Sequence, residues 1–319
     1  HPPFYIVIHF LFMPSYDPEK LIQDIEKDNI HGADWLSNAA IGVLMTAALR
    51  ESATDVDVLH ERLWDIGIRL AATRPSMAPL ANKIGYLFSE LDNVSSLKNY
   101  RVKVSAVGTK IINSSEKNVE KIAEHLKVVG GDTDSVFTYS YSGTVADVIR
   151  QIGYDYVVVT ESRPMMEGKR LAKELGSEGF KVILMVDGAA GMYVKAADIC
   201  LIGADSVQHN GSAINKVGSK LLAYAARDQG VPFYVICDTS KFNVLNYLGQ
   251  NIELEAKTPD EVSEPLDNVE IKNPYFEIIP PELITGVITE MGLMDPLDIR
   301  QQMESMRKYV EPLYQATST

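Results

Sequence analysis

Residues 198–220, DICLIGADSVQHNGSAINKVGSK, decide how the chain is read. Ile199, Cys200, Leu201 and Ile202 form a short apolar run of the kind that a strand buried on both faces requires. The run stops at Gly203-Ala204-Asp205, so a carboxylate arrives where the apolar character ends. Asn210-Gly211 marks a turn, and 214–228 reads as a helix opening near Asn215 and Lys216. In an open parallel sheet, ligands sit at the carboxyl ends of strands and against the first turns of the following helices. Asp205 in that place can move a proton, and Lys216 with the helix amides can hold an anion. Equally, Asp205 and Asn210 can do no more than close the turn.

Around this stretch, apolar runs and amphipathic segments alternate. Strands are expected at 135–140, 156–160, 181–186, 199–202 and 233–237, with helices at 144–152, 169–175, 191–196 and 214–228 between them. Continuous apolar strands argue for a parallel sheet covered on both faces, and right-handed crossovers follow. Short runs at 252–256 and 269–271 add candidate strands, and 281–289 and 297–310 read as helices. Before Gly130-Gly131 the pattern is helical almost throughout, with Leu21, Ile22 and Ile25, then Leu59, Leu63, Ile66 and Leu70 at helical spacing. The expected organisation is a helical domain over 13–129 followed by a doubly wound α/β domain over 130–319. Residues 1–12, HPPFYIVIHFLF, are too short to span a bilayer and lack a basic start; they are read as cloning-derived or as a misassigned start.

Composition narrows the function. A chain of 319 residues, 46% hydrophobic, buries a sizeable core, and a net charge of −13 argues against direct binding to nucleic acid. Cys200 and Cys237 lie in strand-like runs, which suits buried thiols in a reducing cytoplasm rather than a disulfide framework or a zinc site. No G-x-G-x-x-G or G-x-x-x-x-G-K-[ST] is present, so neither a dinucleotide nor a P-loop cofactor is called for, and no metal is expected. His209 reads as a turn residue, since no G-x-S-x-G elbow accompanies it.

The predicted strand ends gather further candidates. Ser140, Ser142 and Thr144 offer hydroxyls and amides ahead of a helix, as a phosphate cradle or as an ordinary N-cap. Arg163 suits a phosphate or carboxylate, or a structural role beside Asp187. Lys241 can anchor a second phosphate or stay a solvated charge.

GADSVQHNGSAINKVGS, with Thr160-Glu161-Ser162-Arg163-Pro164, Asp187, Thr239-Ser240-Lys241-Phe242 and Asn273-Pro274, resembles one superfamily. It comprises methylthioribose-1-phosphate isomerases, archaeal ribose-1,5-bisphosphate isomerases and the alpha, beta and delta regulatory subunits of initiation factor two-B. The resemblance runs from about His31 to Glu290 and implies a Rossmann-like α/β domain after a helical one. It also implies that His31-Gly32-Ala33-Asp34 falls in the place of a substrate-contacting Arg-Gly-Ala loop. Arg74 resembles a substrate-binding arginine of those enzymes, although a cation at a helix C-terminus reads as well.

In the isomerases a cysteine and the aspartate of the Gly-Ala-Asp motif form the acid/base pair. The aspartate corresponds to Asp205 and the cysteine to Ser140. A serine hydroxyl is too weak an acid to replace a thiol unaided. With Gly32, Ala33, Arg74, Ser142, Arg163, Asn215, Lys216 and Lys241 kept as ligand residues, the expectation is a regulatory-subunit homologue of archaeal type. It would bind a phosphorylated sugar or nucleotide in an interdomain pocket, form a homodimer in the cytoplasm and have initiation factor two as a partner. The alternative is an active ribose-1,5-bisphosphate isomerase, which the resemblance of NPYFEIIPPE at 273–282 supports.

Overall fold

The computed structural model describes residues 16–28 and 30–317, so the reading of 1–12 falls outside the described residues. Backbone packing divides the chain into two compact units. One holds residues up to 117 with 240–251 and 301 onward; the other holds 118–239 and 252–300.

The first unit is helical. Helix α1 (Pro18–Lys27) starts where Asp17 accepts hydrogen bonds from the Glu19 and Lys20 amides, and it buries Leu21, Ile22 and Ile25. Helix α2 (Ala33–Arg50) is buried from Leu36 through Ala48, which its Ala-rich sequence permits. Helix α3 (Val56–Ala72) is capped by Asp55, and α4 (Ala78–Ser89) follows Pro75. A single long helix, α5 (Leu97–Gly130), closes the helical run and ends at the Gly130-Gly131 pair.

The second unit carries a seven-stranded sheet in the order β10-β9-β7-β4-β1-β2-β3. Strands β1 (Ser135–Thr138), β2 (Tyr156–Thr160), β3 (Lys181–Met185), β4 (Ile199–Ile202), β7 (Phe233–Ile236) and β9 (Gly286–Thr289) run parallel. Strand β10 (Gly292–Met294) closes one edge antiparallel to β9. Helices α6 (Gly143–Ile152), α7 (Glu167–Ser177) and α8 (Ser219–Gln229) cross between parallel strands. Val119, Ile122 and Leu126 of α5 pack into the core of this unit with Val145, Ile149, Val157, Leu171 and Leu201. The architecture is a helical N-terminal region followed by a doubly wound, mostly parallel α/β sheet, as the sequence indicated. Among the described residues no helix is long and apolar enough to cross a membrane.

Four local expectations are corrected. Residues 213–216 form strand β6 (Ala213–Lys216) of a small antiparallel sheet with β5 (Ser206–Val207) and β8 (Phe276–Ile279), so the helix read from 214 begins only at Ser219. Pairing with β8 over Ala213–Lys216 outweighs the local helical reading. Segment 281–289 is a short 3-10 turn followed by β9, whose Val287 and Ile288 are buried. The runs 252–256 and 269–271 form no named strand, and only Ala256 bridges to Pro274. Strand β3 is not covered on both faces; Ile183 and Leu184, on opposite faces, are both exposed.

Candidate functional site

Strands β1 and β4 are adjacent, paired at Val136–Ile199 and Phe137–Cys200, and their connections leave to opposite sides of the sheet order. That is the switch point at which an open α/β sheet leaves a crevice. Ser140 follows the end of β1, and Asp205 follows the end of β4. Ser140 is buried and left-handed at φ 64°, and its amide donates to Ser162 Oγ at 2.8 Å. Ser162, also left-handed at φ 61°, donates its own amide to Asp187 Oδ1 at 2.8 Å, and the Arg163 amide donates to Asp187 Oδ2 at 2.7 Å. Two non-glycine residues in this region make a strained rim, held by one carboxylate. Asp205 is half-buried, and its amide donates to the Ile214 carbonyl at 2.9 Å, fixing the base of the β5–β6 hairpin.

Beside this rim lies a buried amine. Lys216 Nζ stands 2.6 Å from Glu167 Oε1 and 3.4 Å from the centre of the Tyr275 ring. The Tyr275 hydroxyl donates to the same Glu167 oxygen at 3.2 Å. Burial pushes the Lys216 ammonium below the usual lysine range, while Glu167, Glu261 and Asp205 pull the other way. Burial, then Glu167, Glu261 and Asp205, drive the Tyr275 hydroxyl up. Asp205, Glu167, Lys216 and Tyr275 therefore share one electrostatic neighbourhood. Gly168 lets helix α7 start against β2: a Cβ there would lie 1.8 Å from the Thr160 carbonyl oxygen, and this approach carries Glu167 inward.

The N-terminus of α8 is taken by the protein itself. Glu277 Oε1 accepts from the Gly218 amide at 2.6 Å and the Lys220 amide at 2.9 Å. Gly218 adopts φ 103°, and a Cβ there would meet the Tyr139 hydroxyl at 2.0 Å. The expectation that Lys216 and these amides would hold an anion together is thus corrected, because a carboxylate of the chain already caps them.

The helical unit has its own polar cluster. Lys241 Nζ lies 3.5 Å from Asp34 Oδ1, Lys83 Nζ lies 3.8 Å from the same oxygen, and Lys83 donates to Asn38 Oδ1 at 2.9 Å. Asn82 Nδ2 donates to the carbonyls of Ser240 and Phe242 at 2.6 and 2.7 Å. The buried Arg74 guanidinium donates to the Asp28 carbonyl, and His31 Nδ1 pairs with the Asp28 carboxylate at 2.8 Å.

A model of the Initiation factor 2 subunit family matches residues 29–296. The chain belongs to that family. Within it, the chain is 33% identical over 312 residues to the ribose 1,5-bisphosphate isomerase of Thermococcus kodakarensis, covering 92% of this chain and 97% of that one. It is 27% identical over 281 residues to a putative translation initiation factor eIF-2B subunit 2-like protein of Pyrococcus horikoshii, covering 87% of this chain and 96% of that one. The solved translation initiation factor eIF-2B of Pyrococcus horikoshii OT3 superposes with a TM-score of 0.74 at 26% identity, over 88% of this chain and 97% of that one.

Among the residues expected of this family member, Asp205, Ser140, Ser142, Arg163, Asn215 and Lys216 belong to the α/β unit, and Gly32, Ala33, Arg74 and Lys241 to the helical unit. Several have structural duties. Ser142 caps α6 by accepting from the Val145 amide, Asn215 donates to Ser219 Oγ at 3.2 Å, and Asn210 closes its turn by accepting from the Ser212 amide and hydroxyl. Arg163 is exposed and its guanidinium donates to the Val262 carbonyl at 3.0 Å. Gly32 begins α2, and Ala33 is buried behind it. Sequence reasoning passed over Glu167, Tyr275, Glu277 and Lys83. Glu167 opens a helix after a strand, and Tyr275 stands inside NPYFEIIPPE, so both had a positional signal.

Proposed function

We propose that this family member is a sugar-phosphate aldose–ketose isomerase of the ribose 1,5-bisphosphate type, active in the cytoplasm as a homodimer. The observation that carries this reading is the placement of Ser140 and Asp205 after the adjacent strands β1 and β4, at the switch point. Identity to a named ribose 1,5-bisphosphate isomerase over nearly the whole of both chains supports it over the regulatory reading favoured by Ser140 alone.

The reaction needs little beyond one proton-transfer group and well-placed hydroxyls. A proton reaches the ring oxygen as its bond to C1 breaks, a hydrogen moves from C2 to C1, and the C2 hydroxyl releases a proton to become the ketone. One proton is taken up and one released, and no external oxidant enters. Asp205, protonated for the first step and ionised for the last, can do both. Ser140 then supplies a hydrogen bond rather than an acid. The thiol of Cys200 within β4 does not take over, since it is buried and pushed up to about 12 by desolvation. Lys216 supplies positive charge beside Asp205 in the α/β unit, and Lys241 is read as a phosphate ligand of the helical unit.

The test is incubation of the purified protein with ribose 1,5-bisphosphate and observation of ribulose 1,5-bisphosphate by NMR. A second reading rests on Ser140: a regulatory subunit of the initiation factor two-B type, binding a phosphorylated sugar or nucleotide without turnover and associating with initiation factor two. Ligand binding without turnover, with capture of initiation factor two at micromolar concentration, would favour it.

A further inference from the structure

Lys83 and Lys241 are both buried, with side chains 7% and 6% exposed, and both ammonium groups face one oxygen, Asp34 Oδ1. The two lysines are held stiffly. Lys83 sits within α4 and is anchored by Asn38, while Asn82 grips the carbonyls on either side of Lys241. Asp34 is the loosest of the three, in the first turn of α2 with 29% of its side chain exposed. A carboxylate that bridges two buried ammonium groups stabilises both, because an ammonium taken out of water is costly unless paired. It brings one negative charge to a place where a phosphate dianion would bring nearly two, with three acceptor oxygens.

We propose that Asp34, Lys83 and Lys241 form an anion-exchange site, in which Asp34 is the resident anion and a phosphate displaces it by engaging both lysines. This deepens the reading of Lys241 as a phosphate ligand and rests on that reading, but not on turnover. Lys83 becomes a second phosphate ligand. Asp34 becomes the residue that sets affinity, because its release into solvent opposes binding. Weakly charged ligands cannot displace it, so the site selects phosphorylated molecules over their unphosphorylated counterparts.

Calorimetric titration of the full chain with inorganic phosphate tests this. Asp34→Asn is expected to bind phosphate about tenfold tighter, and Lys83→Gln about tenfold weaker, than the parent. Asp34→Asn combined with Lys83→Gln is expected to lose the gain. Equal affinity in both single variants, or a gain in Asp34→Asn that survives Lys83→Gln, overturns the proposal. A purely structural trio would shift the unfolding midpoint and leave phosphate affinity alone. If Asp34→Asn does not fold, Lys83→Gln decides by itself, and unchanged affinity sinks the idea. The isomerase reading fails separately: a chain that binds phosphate as described without converting ribose 1,5-bisphosphate removes the reaction and keeps the site.

Discussion

The ammonium of Lys216 and the carboxylate of Glu167 meet at 2.6 Å in the α/β unit, with the lysine side chain 4% and the glutamate 18% exposed. Such a pair contributes little net stability relative to an apolar replacement, yet breaking it from one side is expensive. Glu167 Oε2 is itself buried without a hydrogen-bond partner, so removal of Lys216 leaves a poorly solvated carboxylate. Lys216→Met is expected to cost about 3 kcal/mol in urea unfolding, and Lys216→Met with Glu167→Leu less than the single change. A double-mutant cycle with no coupling between the positions would contradict the pairing.

Ser140 offers a gain-of-function test. Its left-handed backbone is held by the bond from its amide to Ser162 Oγ, so exchange for a side chain of similar size leaves that backbone in place. A thiol ionises several pH units more readily than a serine hydroxyl and can share proton transfer with Asp205. Ser140→Cys is expected to raise kcat for ribose 1,5-bisphosphate by about tenfold or more, with a new dependence on a group titrating near the ordinary thiol range. Unchanged kcat and an unchanged pH profile would show that position 140 takes no part.

Glu290 gives a pH signature. Burial and the neighbouring Asp238 push its carboxyl up, against the lowering effect of the Thr239 hydroxyl and amide that donate to it. A carboxyl whose folded value is raised favours the fold while protonated, and this contribution fades as pH rises through the raised value. Glu290→Gln is therefore expected to flatten the decline of unfolding free energy as pH rises above the ordinary glutamate range, whatever its effect on absolute stability. Parallel pH–stability curves for the parent and the variant would contradict the assignment.

The β3 edge bears on assembly. Ile183, Leu184 and Val186 are exposed at the end of the sheet, where an unpaired strand edge invites association. The proposed homodimer is expected to pair through this edge, so replacing Ile183 and Val186 by lysine is expected to leave a monomer in light scattering, with the α/β unit still folded by circular dichroism. A variant that stays dimeric would place the interface elsewhere.

Strands β1, β2, β3, β4 and β7 were legible along the chain because each is a short apolar run ending in a polar cluster, and those endings marked Ser140 and Asp205 as candidates. The β6 strand was not legible. Ala213 to Lys216 carries no strand signal of its own and is defined by β8, some sixty residues on. The same long-range pairing brought Glu277 to the start of α8 and Tyr275 over Lys216, contacts that no local spacing encodes. Asp34, Lys83 and Lys241 were illegible as a group because they come from two helices and a turn far apart in sequence. Site residues drawn from strand ends can be read along the chain; those assembled by pairing across it cannot.

The most direct measurement is NMR of ribose 1,5-bisphosphate incubated with the parent protein and with Asp205→Asn. The account predicts ribulose 1,5-bisphosphate from the parent and a loss of rate of at least about a hundredfold in the variant, the scale of a missing general acid–base group. No ketose from a folded, phosphate-binding parent, or equal rates from both proteins, would contradict it.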